Sequence, residues 1–592
     1  MPILFLVVLC LADLGVAYAD YYVSPGGSDT NPGTEIQPFA TLARARDAVR
    51  TVNGAMASDI TVYLRGGTYQ LPDTLVLDQT DSGTNGHYVV YKAYSGERPS
   101  ISGGQKITGW VAVGNGTYKA AVGELRFRQL YVNGVRAIRA RTPDAGNYHQ
   151  LVSWDKGGRR LEIAASEIAN WGRLNEVEMV ILGKGVNQAN LRISSFSVAG
   201  ANAFVVPREP ERTRMFQQVY PPKEPRPYFF ENAAEFLNQP GEWYLNTETN
   251  ELFYYPRAGE NMVTADVVVA RLEQLVKIQG TLSSPVSRVQ FYGLTFEYST
   301  WTLPNSEGFI GDQAFTIFTQ PLPADEITSY PGLRHPAAVH VEAANFIRFE
   351  RNVFQHLGSS GLNLHMGTQD VAVIGNVFTD ISAGGIAIGL NLEGNPSNTR
   401  KITHRPVVQN NYLSGIGKDY YQNTGIAVGY ADTAVIEHNE ITDTPYSGVS
   451  VGWGWKDRDN AARNNLVRYN NIWNVLTRMA DGGGIYTLSR QPGTLIAENY
   501  VHDITRTPHH GGFNMSGIYL DEGSNLITVR DNVLVNTGDR KLFQNDNGPS
   551  NTFVNNDGTS SSVIAAAGLQ QAYRDIRPGT LPPVKPAGLT VQ

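Results

Sequence analysis

From about residue 346 onward a six-residue pattern returns along the chain: an apolar position, two variable ones, an asparagine, one variable position and a second apolar residue. It occurs first at 349–354 around Asn352, then around Asn376, Asn410, Asn439, Asn470, Asn499 and Asn532, at intervals of 24 to 34 residues. Each of the first six asparagine segments is followed by a small residue, a glycine and an apolar–variable–apolar triplet, with the glycines at Gly361, Gly385, Gly425, Gly448, Gly484 and Gly517. Self-similarity at this period marks an architecture in which each unit stacks on its neighbours to bury its apolar side. The apolar segments have strand length, and no helix-length periodic stretch lies between them. The pattern predicts an all-β fold, a right-handed parallel β-helix whose asparagines form a hydrogen-bonded ladder at one turn of each coil. A propeller would need antiparallel hairpins at a steadier period, and leucine-rich repeats would be shorter.

The ends of such a stack expose strand edges that must be covered. Thr41 predicts an N-cap ahead of Leu42, Ala45, Val49 and Val52, which share one helical face, and this helix is expected to plug the N-terminal end. Segments 59–71 and 87–94 read as the first coils. At the far end, 563–576 reads as a capping helix before a Pro-rich tail without a fixed fold. Residues 124–264 lose the asparagine and glycine pattern and alternate instead, as in 241–256, with Thr249-Asn250 at a hairpin turn. This predicts an inserted antiparallel, sandwich-like β module. The expected organisation is a signal peptide at 1–19, cap and first coils at 20–123, the inserted module at 124–264, the main β-helix at 265–560 and a C-terminal cap with its tail at 561–592.

Composition narrows the class. With 592 residues, 41% hydrophobic and 17% charged, the chain is too apolar for disorder and too long for one core. A net charge of -7 without any basic block argues against nucleic-acid or anionic-membrane partners. The apolar run 3–12 and Ala17-Tyr18-Ala19 before Asp20 read as a signal peptide cut after Ala19, so the protein is expected to be secreted or periplasmic. Cys10, the single cysteine, lies inside that segment, which excludes disulfides, thiolate catalysis and cysteine-ligated zinc from the mature chain. No later stretch reaches the ~20 apolar residues of a membrane span.

Aligned on their shared Gly-Ile-Tyr, Gly484-Ile485-Tyr486 stacks under Gly517-Ile518-Tyr519. Asp481 precedes the first rung, and Asp521 and Glu522 follow the second. Two acids beside glycine-rich turns suit a carboxylate pair that protonates a leaving oxygen and activates or supplies a nucleophile, although aspartates also cap turns. The two aspartates are offset by seven positions, about 23 Å if fully extended, against roughly 5–10 Å for a working pair. Pairing therefore requires Gly482, Gly483 and Gly484 to fold back or the sheet to end early; Glu522, Asp503, Glu440 and Asp419 stand as substitutes for the second acid. Tyr420, Tyr421, Trp453, Trp455, Tyr486 and Tyr519 could stack on the apolar faces of sugar rings, with Arg490, His509 and His510 as polar contacts; packing at coil edges is the alternative. No carboxylate sits at helical ligand spacing from His509-His510, so neither metal nor cofactor is expected. There is no phosphate loop and no Gly-x-Ser-x-Gly elbow.

Residues 21–45 resemble the opening of exported right-handed β-helix proteins. LYVNGVRAIRAR (130–141), FFENAAEFLNQPGEWYLN (229–246), DGGGIYTL (481–488) and GIYLDEGS (517–524) together resemble glycoside hydrolase family 141. The resemblance implies a β-helix with an inserted β-sandwich, an α-L-fucosidase or xylanase type of activity on a poly- or oligosaccharide, and a catalytic aspartate pair matching Asp481 and Asp521. A polysaccharide lyase or uronate epimerase is the runner-up; it would need cations such as Lys456, Arg458 or Arg490 and often Ca²⁺. A non-catalytic glycan-binding β-helix is the third reading.

Overall fold

The computed structural model describes residues 20–182, 185–218, 226–319, 332–507, 510–556 and 558–578. The expected signal peptide, His509 and the Pro-rich tail beyond residue 578 lie outside these residues. The chain winds as a right-handed parallel β-helix through three parallel sheets, one strand per sheet per coil. Sheet I has twelve strands, from Tyr21–Val23 to Thr552–Val554; sheet II has ten, from Gly67–Gln70 to Val533–Thr537; sheet III has ten, from Leu75–Leu77 to Arg540–Gln544.

The strands are short because only two or three inward positions per side fit around the shared core. Down sheet III one inward file reads Val339, Leu362, Ile386, Ile426, Val449, Ile485 and Ile518, all in register and buried. Aromatics fill the wider N-terminal coils as stacks: Tyr91 on Phe291 and Phe291 on Phe349, with centroids 5.2 and 5.6 Å apart, and Phe354 on Phe378 at 4.5 Å. The stack keeps like residues over like, so each ring adds contact area without new shape matching.

The asparagine ladder lies at the turn between sheets I and II, fully buried. Side-chain amides pass from Asn352 to Asn376, Asn411, Asn439, Asn470, Asn499, Asn532 and Asn556, each Nδ2 donating to the next Oδ1 at 2.8–3.1 Å. The third rung is Asn411, not Asn410 as the sequence reading placed it. Asn411 is the residue that stands three after Val408 and two before Leu413, the same phase as Asn352 between Phe349 and Phe354. Asn410 has a left-handed φ of 56° and bonds the Gln570 side chain instead. The repeat's glycines form a second file at the start of sheet III. A Cβ on Gly361, Gly385, Gly425, Gly448 or Gly484 would lie 2.5–3.0 Å from the carbonyl oxygen of the next glycine in the file. The backbones approach too closely there for any side chain.

The N-terminal helix, Leu42–Arg50, is capped by Thr41, whose hydroxyl accepts from the Arg44 N–H at 3.1 Å, and it buries Leu42, Ala45, Ala48 and Val49. The C-terminal segment has no single helix at 563–576: a short helix, Ser561–Ala566, is followed by a 3₁₀ turn, Gln571–Ile576. Its later part does not lie across the last coil. It runs back along the side of the stack, where Leu569 and Ile576 pack on Val377 and Arg577 pairs with the buried Glu440.

Antiparallel strands occupy the interval between Pro99–Ser102 and Val276–Gln279, beginning at Gly104–Lys106 rather than near residue 124. They form sheets of four, five and nine strands around two apolar cores; the nine-stranded sheet takes in Phe309–Ile310 from later in the chain, and the five-stranded sheet holds one parallel pair, Ile138–Arg139 with Glu242–Asn246. Arg136 pins this module to the β-helix. Its guanidinium reaches Asp380 at 2.6 Å and Asp419 and Ser382 at 3.1 Å; burial raises the Asp380 carboxyl, but Arg136 and His356 together outweigh it and hold the group well below the usual range.

Candidate active site

Strand Gly482–Thr487 pairs with Met515–Leu520 in sheet III, so that Ile485 opposes Ile518 and Tyr486 opposes Tyr519. The isoleucines enter the core, and strand alternation sends the tyrosines to the other face. There Leu488, Trp455 and Phe543 pack around them, so that both rings are buried.

Each tyrosine holds a different aspartate. The Tyr486 hydroxyl donates to Asp521 Oδ2, and Asn545 Nδ2 donates to Asp521 Oδ1 at 2.7 Å. The Tyr519 hydroxyl donates to Asp481 Oδ1 at 3.3 Å. The two rings meet edge to face, 5.2 Å apart at 80°. One rung earlier, Tyr446 donates to the Asp481 carbonyl at 2.8 Å and accepts from Gln313 Nε2 at 2.9 Å. Burial, followed by the charges of Asp481 and Asp521, pushes the phenols of Tyr446, Tyr486 and Tyr519 far above their ordinary range. They remain hydrogen-bond donors at any working pH.

Between the aspartates the chain bends and does not fold back. Gly482, Gly483 and Gly484 belong to a continuous strand, but a Cβ on Gly483 would stand 2.6 Å from the Ile485 carbonyl oxygen, which marks a sharp corner at Gly484. Asp481 adds a left-handed φ of 57°. The corner brings Asp481 to the Tyr519 hydroxyl, while Asp521 follows its strand directly and is 6% exposed.

Among the other expected site residues, Glu522 is half-buried and its carbonyl accepts from Ser489 N–H at 3.2 Å. The substitute acids are committed elsewhere: Glu440 to Arg577, Asp419 to Arg136 and Asp503 to His502. Tyr420 and Trp453 are not sugar platforms. Tyr420 is buried among Trp301, Phe309 and His335, and Trp453 is buried against Phe315, Ala387 and Ala427. Tyr486 and Tyr519 are likewise covered and serve the aspartates instead. His510 is 1% exposed, with its Nδ1 accepting from the Thr507 N–H at 2.7 Å. Arg490 is tied to Asp457 and Asp459 at 2.7 and 2.9 Å. Tyr421 is half-buried against the main core, and Trp455 is half-buried beside the tyrosine pair.

Sequence reasoning missed Tyr446, Asn545 and Gln313. Tyr446 stands two residues before Gly448 of the repeat, the position that Gly482 takes one coil later, and this phase was a usable signal. Asn545 and Gln313 carry none, since neither lies in a repeat element. The sequence also did not bring together His340, Glu342 and His365, whose ligand atoms all lie within 4.8 Å of one another.

Two family models match the chain: the GH141 insertion domain over residues 110–257 and the right-handed beta helix region over residues 397–574. A solved structure titled "Glycoside hydrolase" is 33% identical, covers 94% of this chain and 100% of its own, and superposes with a TM-score of 0.87. Two curated relatives match shorter stretches: the uncharacterized protein YwoF of Bacillus subtilis (strain 168), 42% identical over 85 residues, and the pectate lyase PEL9 of Emericella nidulans, 39% identical over 88 residues. The matches span 14% and 15% of this chain and only 16% and 19% of those relatives. Full-length likeness at this identity, together with the insertion-domain match, places the chain among the glycoside hydrolase family 141-like β-helix proteins, and it belongs to that family.

Proposed function

We propose that the protein is an exported hydrolase of O-glycosidic bonds in plant cell-wall or complex glycans, of α-L-fucosidase or xylanase type, with Asp481 and Asp521 as its working pair. The observation that carries this reading is the convergence of the two aspartates on one buried tyrosine pair. Asp521, with donors on both oxygens, is arranged as the carboxylate that attacks the anomeric carbon or takes a proton from water. Asp481, which accepts from the Tyr519 hydroxyl, takes the part of proton donor to the leaving oxygen. The leaving oxygen departs with the proton of Asp481, water's oxygen ends on the anomeric carbon with one of its protons, and its other proton restores Asp481. Trp455 offers the aromatic face for a sugar beside the pair. The lyase reading finds less support, since the cation Arg490 is neutralised by two aspartates.

The test is a reducing-sugar assay on fucosylated glycans, xylans and pectins with wild type, Asp521→Asn and Asp481→Asn. Each variant is expected to lose at least about 10²–10⁴ in rate with an unchanged circular dichroism spectrum. Folded Asp521→Asn at near wild-type rate, or an unsaturated ultraviolet-absorbing product, would overturn the proposal.

A further inference from the structure

Sheet III carries a second cluster of chemistry-bearing side chains, at the opposite end from the aspartates. His340 and Glu342 alternate with the buried Val339 and Val341 on strand Ala337–Glu342, so both point outward. On the next coil Leu364 opposes Val341, which sets His365 beside Glu342. Both rings face one oxygen: His340 Nε2 is 3.2 Å and His365 Nδ1 is 3.1 Å from Glu342 Oε2. All three side chains keep part of their surface in solvent, 16%, 19% and 29% for His340, Glu342 and His365.

We propose that His340, Glu342 and His365 form a binding site for a divalent transition metal with positions open to solvent. Zinc binds imidazole and carboxylate at about 2.0–2.2 Å, and in a tetrahedron such bonds put neighbouring ligand atoms about 3.3 Å apart. The two observed separations, 3.2 and 3.1 Å, already match those edges. Two imidazoles with one carboxylate suit Zn²⁺, Co²⁺ or Ni²⁺. Ca²⁺, which takes six to eight oxygens, is a poor fit. Two cations oppose the metal: Lys277, the register neighbour of His340, and Arg334, which lies near enough to Glu342 and His365 to act on both electrostatically. They lower affinity without removing a ligand.

The register also places the site relative to the chemistry. Leu364 aligns through Ile388, Val428, Val451 and Thr487 with Leu520, so His365 and Asp521 occupy one file five rungs apart. At about 4.8 Å per rung that is roughly 24 Å. A metal here does not reach the bond cleaved at the aspartates. It would staple two early coils of sheet III and raise stability by mass action.

The test uses the full chain without a histidine tag, stripped with EDTA and titrated with Co²⁺ and then Zn²⁺. One equivalent of Co²⁺ should bind with visible d–d absorption, be displaced by Zn²⁺, and raise the melting temperature. His340→Asn, Glu342→Gln and His365→Asn should each weaken binding by more than the roughly 10–100-fold typical of losing an outer-shell partner. Lys277→Gln should tighten it. Glu342→Gln is nearly isosteric, so it reports even if a histidine variant fails to fold. His404→Ala, a histidine on another ladder, should bind like wild type. Absence of a saturable Co²⁺ spectrum, or an unchanged titration in Glu342→Gln, would show that the three residues form a hydrogen-bonded triad and no metal site.

Discussion

Removing one hydroxyl tests the central geometry more sharply than removing an aspartate. In Tyr486→Phe the ring remains between Tyr446, Tyr519 and Trp455, but Asp521 loses the donor on Oδ2 and keeps only Asn545 on Oδ1. A hydrogen bond to a charged group contributes about 1.5–3 kcal/mol, and burial of Asp521 at 6% exposure leaves little room for water to replace it. At about 1.4 kcal/mol per decade this predicts a fall in kcat of roughly 10- to 100-fold. KM should stay within about twofold, because Tyr486 is covered and does not touch substrate. Initial rates on a responsive glycan, with melting curves as a control for folding, measure both. A variant whose kcat matches wild type would refute the role given to Tyr486, and with it the argument that Asp521 is held as a working carboxylate.

Other perturbations separate fold from chemistry. Asn411→Ala should cost more than about 2 kcal/mol in urea unfolding, since it orphans buried amide groups on both neighbouring rungs, whereas Asn410→Ala should cost less than about 1 kcal/mol. Turnover should survive excess EDTA, because the one compact group of imidazole and carboxylate ligands found among the described residues lies five rungs from Asp521. His335 is buried among Trp301, Phe309 and Tyr420, and burial pulls its pKa down to about 3. The unfolded chain takes up that proton near pH 6.5, so the contribution of neutral His335 is present above that pH and is lost as pH falls towards 3, at about 1.4 kcal/mol per unit. Urea midpoints at pH 7 and pH 4 should therefore diverge less in His335→Gln than in wild type; an equal divergence would show that another group carries the acid sensitivity.

The parallel stack was legible because its constraint repeats. Every coil needs the same inward apolar positions, the same buried amide and the same glycine where backbones touch, so the signal is read seven times over. The one slip, Asn410 for Asn411, came at a rung with two adjacent asparagines, where phase against Val408 and Leu413 decides and residue type does not. The C-terminal segment was less legible. Its helix pattern was local and weak, and its course is set by partners far along the chain, Glu440 and Asn410 among them. Nothing in the segment itself names those partners.

The candidate pair could be picked out of the sequence while its geometry stayed opaque, for a related reason. Asp481 and Asp521 could be singled out because they flank a duplicated Gly-Ile-Tyr, but a straight strand put them too far apart to cooperate. What a linear register omits is the corner at Gly484, which exists because the glycine file lets each coil turn tightly against the next. The same omission misassigned the aromatics. For Tyr420 and Trp453 it is packing at coil edges, the alternative to sugar stacking, that holds, since those edges are covered by residues 301–318, brought over from earlier in the chain by contacts that no repeat encodes. In this fold the repeat specifies the column, and non-repeating segments decide which parts of it remain open. The search for substrate contacts therefore belongs around Trp455, where the aromatic surface beside the aspartates is only partly covered, before the buried aromatic edges are considered.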